Sequence, residues 1–289
     1  MRYHYKEYKS ILSPTNGMNI YRGCTHGCIY CDSRSKCYQF DHDFEDIEVK
    51  SNAAEMLDRE LHCRRRRGMI VTGAMCDPYM HIEEELGITR QCLQVISRHH
   101  FGVAVQTKST RILRDIDLLT EINRKTKAVA QITLTTADDM LCRIIEPAVE
   151  PTSERFQALC ELRTAGIPTV VWLSPFLPFI NDKRENVEAL LDYCLRAGVG
   201  GIIHFGVGMT LRDGDREYYY AALDRHFPGL KQRYIEKYGN AYEIASDNTH
   251  ELTRLITDTC RKHNIICGFE NVLRYIRDFP DKNEQLSLF

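Results

Sequence analysis

Three closely spaced cysteines, Cys24, Cys28 and Cys31, are the side chains of this sequence best suited to chemistry. On one short loop their thiols cannot all form disulfides with one another, but they can converge on one soft metal centre. Cysteine thiolates are the usual ligands of iron–sulfur clusters, whereas a structural zinc site closes with four ligands. His26 lies inside the loop and is poorly placed to reach back to a metal, and Cys37 remains available as a fourth ligand.

The C-x3-C-x2-C spacing is uncommon by chance. With 12 cysteines in 289 residues, one such pattern is expected about 0.02 times per chain. Tyr30 directly precedes the last cysteine, and with it the motif resembles the signature of the radical S-adenosylmethionine (SAM) superfamily. The resemblance implies a [4Fe–4S] cluster held by Cys24, Cys28 and Cys31, with a fourth iron open to the amino and carboxylate groups of SAM. It also implies one-electron cleavage of SAM to methionine and a 5′-deoxyadenosyl radical.

Composition limits the location and the partners. The net charge of −2 argues against coating nucleic acid by bulk electrostatics, although a local basic patch is compatible with it. The polar N-terminus shows no secretory signal, and no apolar run reaches the length of a membrane span. Twelve cysteines without an export signal predict a reducing compartment, and therefore a cytoplasmic protein with free thiols.

Alternating β-branched and amphipathic segments predict the fold. Strands are expected at about 18–22, 69–73, 103–107, 129–135, 169–173 and 201–205, with helices between them. Such βα units form parallel sheets with right-handed connections. The prediction is an α/β fold, a partial (β/α)6 TIM-like barrel, which the family resemblance also implies.

The division of the chain follows from the same pattern. Residues 1–17 are expected to be an irregular lead-in, and 18–210 the barrel. From residue 213 onward the pattern predicts helices only, at about 213–226, 229–238 and 247–263. We therefore expect a helical cap over 211–280 and a polar tail over 281–289.

Ligands of βα folds gather at the C-terminal ends of the strands. The loops at these ends resemble the spore photoproduct lyase-like group of the superfamily, which includes DNA-repair members. The segments that carry this resemblance are 77–79 with 89–90, 107–109 with 113–115, 146–147 with 155, and 175 with 181–182. It implies that Lys108 holds the SAM carboxylate and that Thr133 or Thr135 faces SAM. Backbone near Gly73 and Ala74 would receive the SAM amino group, and Asp77 belongs to the same cofactor-binding loop.

Two residues of this loop are candidate catalytic residues, Cys76 and Tyr79. Spore photoproduct lyase uses a cysteine after its second strand to return a hydrogen atom to the product radical. Cys76 is the nearest cysteine here, so a donor role is a hypothesis for it, and a plain loop residue is the alternative.

The remaining expectations concern partners. The run 64–67 of four arginines ends a helix on the face opposite the cluster, so a solvated helix end is preferred to nucleic-acid binding. A better phosphate-binding patch is expected from Arg34, Lys36, Lys108, Arg111 and Arg114. The tail Gln285-Leu286-Ser287-Leu288-Phe289 resembles the peptide by which bacterial repair proteins bind the DNA sliding clamp.

The predicted function is radical SAM chemistry on DNA or a nucleobase lesion, with electrons from a flavodoxin- or ferredoxin-type donor. One alternative is modification of a peptide, an RNA or a small molecule on the same scaffold. The other is a clamp-associated iron–sulfur module without turnover.

Overall fold

A computed structural model describes residues 2–280 of the chain. The strands are β1 (Tyr3–Lys6), β2 (Gly17–Met18), β3 (Tyr21–Arg22), β4 (Ile47–Lys50), β5 (Met69–Thr72), β6 (Gly102–Thr107), β7 (Ala128–Thr133), β8 (Thr169–Trp172), β9 (Gly201–Ile203), β10 (Gly208–Thr210), β11 (Glu243–Ala245) and β12 (Ile266–Cys267). The α-helices are α1 (Ala53–His62), α2 (Glu83–Leu86), α3 (Ile88–Arg98), α4 (Ile116–Lys125), α5 (Asp139–Ile145), α6 (Thr152–Thr164), α7 (Arg184–Ala197), α8 (Asp215–His226), α9 (Leu230–Tyr238), α10 (Thr249–Lys262) and α11 (Phe269–Arg277).

Seven parallel strands form the main sheet, in the order β12-β9-β8-β7-β6-β5-β2. The central strands are short and apolar because helices cover one face and the barrel interior covers the other. All six residues of β7 are buried. The predicted partial TIM-like barrel is confirmed. Among the described helices, none combines the length and the apolar character needed to cross a bilayer.

The first predicted strand is wrong in detail. Residues 18–22 do not form one strand, because β2 pairs with β5 in the main sheet whereas β3 pairs antiparallel with β4 in another. That second sheet has the order β1-β4-β3. Its strand β1 lies in the expected irregular lead-in. The main sheet therefore begins with a two-residue strand, and the small sheet leads into the cysteine loop.

The C-terminal region is not purely helical, which corrects the predicted cap. β10 and β11 form an antiparallel pair although α8 and α9 separate them along the chain. β12 pairs with β9 and adds a seventh strand to the main sheet. α11 follows it and buries Val272 against the barrel, within 3.3 Å of where a Cβ on Gly201 would stand.

Candidate active site

The cysteine loop follows β3 and is fixed by main-chain hydrogen bonds at both ends. The Cys24 amide donates to the Phe44 carbonyl oxygen at 3.1 Å, and the Ile29 amide donates to that of Ile145 at 3.0 Å. Gly23 has a φ of +89°, and a Cβ there would lie 2.5 Å from the same Phe44 oxygen. Only glycine permits this approach. The loop is thus fixed between the small sheet and the end of α5.

The three sulfurs are not gathered as closely as the ligands of one zinc ion would be. Within residues 2–280, the sulfurs of Cys24, Cys28 and Cys31 do not all lie within 4.8 Å of one another. Two thiolates on one zinc, each at about 2.3 Å, can be at most about 4.6 Å apart. Thiolates of an iron–sulfur cluster bind different iron atoms and need the wider spacing. Burial raises the pKa of Cys28 to about 12, so cluster binding must displace a proton there.

Tyr30, the aromatic residue of the motif, is bonded to a buried ion pair. Its hydroxyl donates to the Glu146 carboxylate, which pairs with Arg155. Both charged side chains have 0% exposure. Arg155 also donates to the Thr133 carbonyl oxygen at 2.8 Å. Burial alone would raise the pKa of Glu146, but the positive charges of Arg155 and Lys108 lower it. The network joins the cysteine loop to α6 and β7.

The loop after β5 is shaped by Gly73 and Asp77. Gly73 has a φ of +100°, and a Cβ there would lie 1.9 Å from the Gln106 carbonyl oxygen. The Asp77 carboxylate accepts hydrogen bonds from the Thr107 hydroxyl at 2.6 Å and from the Lys108 amide at 2.7 Å. The loop is therefore tied to the end of β6. Asp77 bonds to the polypeptide here and also lines the cavity described below.

Lys108 lies at the end of β6 among the groups expected at a SAM site. Its Nζ is 5.8 Å from the centroid of the Tyr30 ring. Burial alone would lower the pKa of Lys108, but nearby Cys28, Glu146, Cys31 and Asp77 raise it. The side chain therefore stays positively charged and can bind a carboxylate.

Thr133 ends β7 and Thr135 lies two residues beyond it, and both are buried. Within the described part of the chain, neither hydroxyl has a hydrogen-bond partner. Neither residue lines the large cavity described below. Buried polar groups are usually bonded, so each of these two hydroxyls can still accept or donate one hydrogen bond.

The two candidate catalytic residues have different surroundings. Cys76 is buried at the cavity wall and its thiol donates to the Tyr21 carbonyl oxygen at 2.8 Å. Burial raises the pKa of Cys76 to about 12, so the thiol keeps its hydrogen. Tyr79 is fully buried, donates to Asp115 at 3.1 Å and is not among the described residues that line the cavity. Its placement does not support the catalytic role expected for it.

One cavity of about 910 Å³ brings most of the predicted site together. Its wall includes Cys24, Cys28, Cys31, Gly73, Ala74, Cys76, Asp77 and Lys108. Sequence reasoning missed the opposite wall, which comes from β10 and β11, and it missed Phe205, which is 59% exposed. A three-residue strand whose partner is more than thirty residues away leaves no local sequence signal.

Four of the five residues of the expected basic patch are paired with carboxylates. Lys36 pairs with Asp213 at 3.0 Å, and Arg114 pairs with Glu83 at 2.9 Å and with Asp115. Arg34 and Arg111 are also paired with carboxylates, as the ion pairs Arg34–Glu45, Arg111–Glu84 and Arg111–Glu150 show. The arginine run 64–67 is exposed and lies in the loop between α1 and β5, because α1 ends at His62; the expectation that the run ends the helix is wrong.

The fold and the three-cysteine site define a radical SAM protein. The family model described as the radical SAM superfamily matches residues 18–194, and the chain belongs to that superfamily. Its cofactors are a [4Fe–4S] cluster and SAM. The cysteine spacing, the cavity and the charged Lys108 fit both groups.

Two sequence relatives and one solved structure are similar to this chain. An uncharacterized protein of Mycobacterium tuberculosis is 30% identical over 229 residues, which are 76% of this chain and 66% of the relative. The chain thus spans less than two thirds of that protein. An uncharacterized protein of Methanocaldococcus jannaschii is 25% identical over 235 residues, 80% of each chain. The structure of spore photoproduct lyase complexed with dinucleoside spore photoproduct has a TM-score of 0.60 at 13% identity, covering 84% of this chain and 71% of that one. The predicted spore photoproduct lyase-like fold is confirmed.

Proposed function

We propose that this protein is an enzyme that uses SAM-derived radical chemistry to act on a nucleobase of DNA. The observation that carries the proposal is the single cavity of about 910 Å³ shared by the three cysteines, Lys108 and the Gly73–Asp77 loop. Ligand sites usually measure about 300–1,000 Å³, so this cavity has room for SAM and a second small group. The neighbour with a bound dinucleoside spore photoproduct supports a nucleobase as that group.

The residues have distinct proposed roles. Cys24, Cys28 and Cys31 hold the cluster, which with SAM supplies a radical able to abstract hydrogen. Lys108 binds the SAM carboxylate, and the backbone at Gly73 and Ala74 receives the amino group. β10 and β11 supply part of the wall around the proposed substrate. The proposed contact of Thr133 or Thr135 with SAM is supported by their buried hydroxyls without a partner in the described chain, although neither residue lines the cavity.

Cys76 is proposed as the hydrogen-atom donor. Its S–H bond breaks and a C–H bond forms on the substrate radical, which leaves a sulfur radical for the external reductant to restore with one electron and a proton. In D2O the thiol exchanges, so the product should carry one solvent deuterium. Cys76→Ala should give product without that deuterium, whereas Cys63→Ala, an exposed cysteine, should behave as wild type. Full deuterium incorporation by Cys76→Ala would exclude the role.

The enzyme proposal is tested by SAM cleavage. Anaerobically reconstituted protein is given SAM and dithionite, and 5′-deoxyadenosine is measured with and without the dinucleoside spore photoproduct. We expect cleavage that Cys31→Ala abolishes and Cys63→Ala retains. Bound iron without any cleavage would instead favour an iron–sulfur module without turnover. A flavodoxin- or ferredoxin-type protein should replace dithionite.

A second candidate is radical modification of a peptide or a neutral small molecule. It is favoured by charge, because the cavity wall carries the carboxylates of Asp32, Asp77 and Glu243 against the one ammonium of Lys108 among the described lining residues. Binding of a DNA oligonucleotide should weaken steeply with salt if phosphates are bound. The absence of salt-dependent binding would favour this second candidate.

We also propose that the tail binds a bacterial sliding clamp through Gln285-Leu286-Ser287-Leu288-Phe289. These residues lie outside the described part of the chain, so the support is the sequence motif. Leu288 and Phe289 would fill an apolar pocket while Gln285 supplies polar contacts. Deleting 285–289 should abolish clamp binding measured by calorimetry. Unchanged affinity of the deletion variant would refute the proposal.

A further inference from the structure

A second cluster of ligand-type side chains lies in the small sheet, away from the cysteine loop. Within residues 2–280, one group of three His, Cys, Asp or Glu residues has its ligand atoms all within 4.8 Å of one another, namely His4, His42 and Glu48. His4 on β1 is directly opposite Glu48 on β4 in the parallel pairing, so the two side chains share a face. The His4 and His42 rings are 4.9 Å apart.

Both histidines are held in the tautomer that suits a metal. Nδ1 of His42 is 2.9 Å from the Asp43 carbonyl oxygen, and Nδ1 of His4 is 3.3 Å from Asp46 Oδ1. Both oxygens can only accept, so each Nδ1 donates, and each neutral ring keeps a lone pair on Nε2. Metal-bound histidines are oriented by such bonds to a carboxylate or a carbonyl.

The lone pair of His42 is unused. In the described chain the Nε2 atom of His42 is buried without a hydrogen-bond partner, and Asp41 Oδ1 lies 3.9 Å from it. A buried acceptor left without a partner destabilises the folded state. A bound ion would remove that destabilisation, and Asp41 could supply a fourth ligand.

Glu48 can act as a ligand without losing its present partners. Its carboxylate has 0% exposure, accepts from the Tyr8 hydroxyl and is 2.8 Å from the Lys6 ammonium. A carboxylate offers about four lone-pair sites, so Glu48 can keep both bonds and bind an ion. Two ligands on a tetrahedral zinc are about 3.4 Å apart. The present separations need to close by at most about 1.4 Å, as follows from the 4.8 Å limit.

We propose that His4, His42 and Glu48 form a binding site for one zinc ion, separate from the cysteine site. Two imidazoles and one carboxylate are a known zinc ligand set. The ion would join β1 to the loop before β4. That loop carries Phe44, whose carbonyl oxygen accepts from the Cys24 amide, so zinc there would steady the start of the cysteine loop.

The test measures zinc separately from iron, on full-length protein without a histidine tag. Zinc and iron per chain are measured by mass spectrometry, and zinc affinity by competition with a chelator. We expect one zinc per chain besides the cluster iron, with His42→Gln and His4→Gln binding zinc at least about 100-fold more weakly. The matched control is His99→Gln, because His99 has a carboxylate partner, Asp58 at 2.9 Å, but belongs to no such group in the described chain.

If a histidine variant fails to fold, two further measurements test the zinc site. Asp46→Asn retains the shape of the residue that orients His4, and it should weaken zinc binding about 10- to 100-fold. Cobalt(II), used in place of zinc, should give visible bands without thiolate-to-metal charge transfer. Strong charge-transfer bands, unchanged zinc affinity in all three variants, or no zinc binding by wild type would each overturn the proposal.

Discussion

The buried Glu146–Arg155 pair offers the sharpest test of how the cysteine loop is held. Arg155→Met keeps much of the side-chain volume but removes the positive charge. Glu146 is then left as a buried carboxylate bonded to Tyr30 without its cation. The carbonyl oxygens of Thr133 and Glu150 also lose their donor, each at 2.8 Å.

The magnitude follows from the burial of both partners. Removing one member of a buried ion pair costs about 3–5 kcal/mol. With an unfolding entropy of about 2.1 cal/mol/K per residue, 289 residues give about 0.6 kcal/mol/K. The expected fall in Tm is therefore about 5–8 °C, measured by calorimetry on anaerobic protein. Iron content should fall as well, because Tyr30 is bonded to the uncompensated carboxylate.

Two comparison variants isolate the cause. Arg163→Met lies on the same helix at an exposed position, and it should change stability by less than about 0.5 kcal/mol. The double variant Glu146→Leu with Arg155→Met removes both charges and should be more stable than Arg155→Met alone. A loss below about 1 kcal/mol for Arg155→Met, or a double variant less stable than the single one, would refute the reasoning.

Three other changes have defined outcomes. Gly73→Ala should lower the free energy of unfolding by at least about 2 kcal/mol, because its Cβ would meet the Gln106 carbonyl oxygen. The control is Gly166→Ala, at a φ of +75° with no described atom within 4 Å of its Cβ, and it should cost about 1 kcal/mol. Chemical denaturation measures both changes. Lys108→Met should raise the KM for SAM about tenfold or more with unchanged iron content, and an unchanged KM would contradict the assignment. Burial raises the pKa of Asp215 from 3.8 to about 6, so the folded state binds the proton more tightly and stability should fall as pH rises from about 4 to 6. Asp215→Asn should remove that dependence, as pH-dependent denaturation can show.

The strands and helices of the barrel were predictable where neighbouring residues in the sequence determine them. Strands such as β7 are continuous apolar runs because both faces are buried, and α7 ends where Gly198 adopts a φ of +61°. β1 and β4 escaped prediction because they are four residues long and carry polar side chains, such as Lys6 and Glu48, which form an ion pair across the small sheet. β12 has two residues, too few for any periodic pattern.

The candidate site was likewise predictable only where its residues are close together in the sequence. Three cysteines within eight residues are readable because the ligand spacing is itself a sequence pattern. The partner of Tyr30 is 116 residues away, and the carboxylates that pair with the expected basic patch come from five separate segments. Such pairings depend on the fold and cannot be predicted from the spacing of residues in the sequence.

The pairing of β12 with β9 has a consequence for how the protein is made. During synthesis β9 emerges with an unpaired edge, and more than sixty residues must follow before Ile266 and Cys267 can cover it. Unpaired strand edges attract other chains. The nascent chain is therefore prone to aggregation until β12 has been made, and a chain that ends within α10 would leave the edge of β9 unpaired.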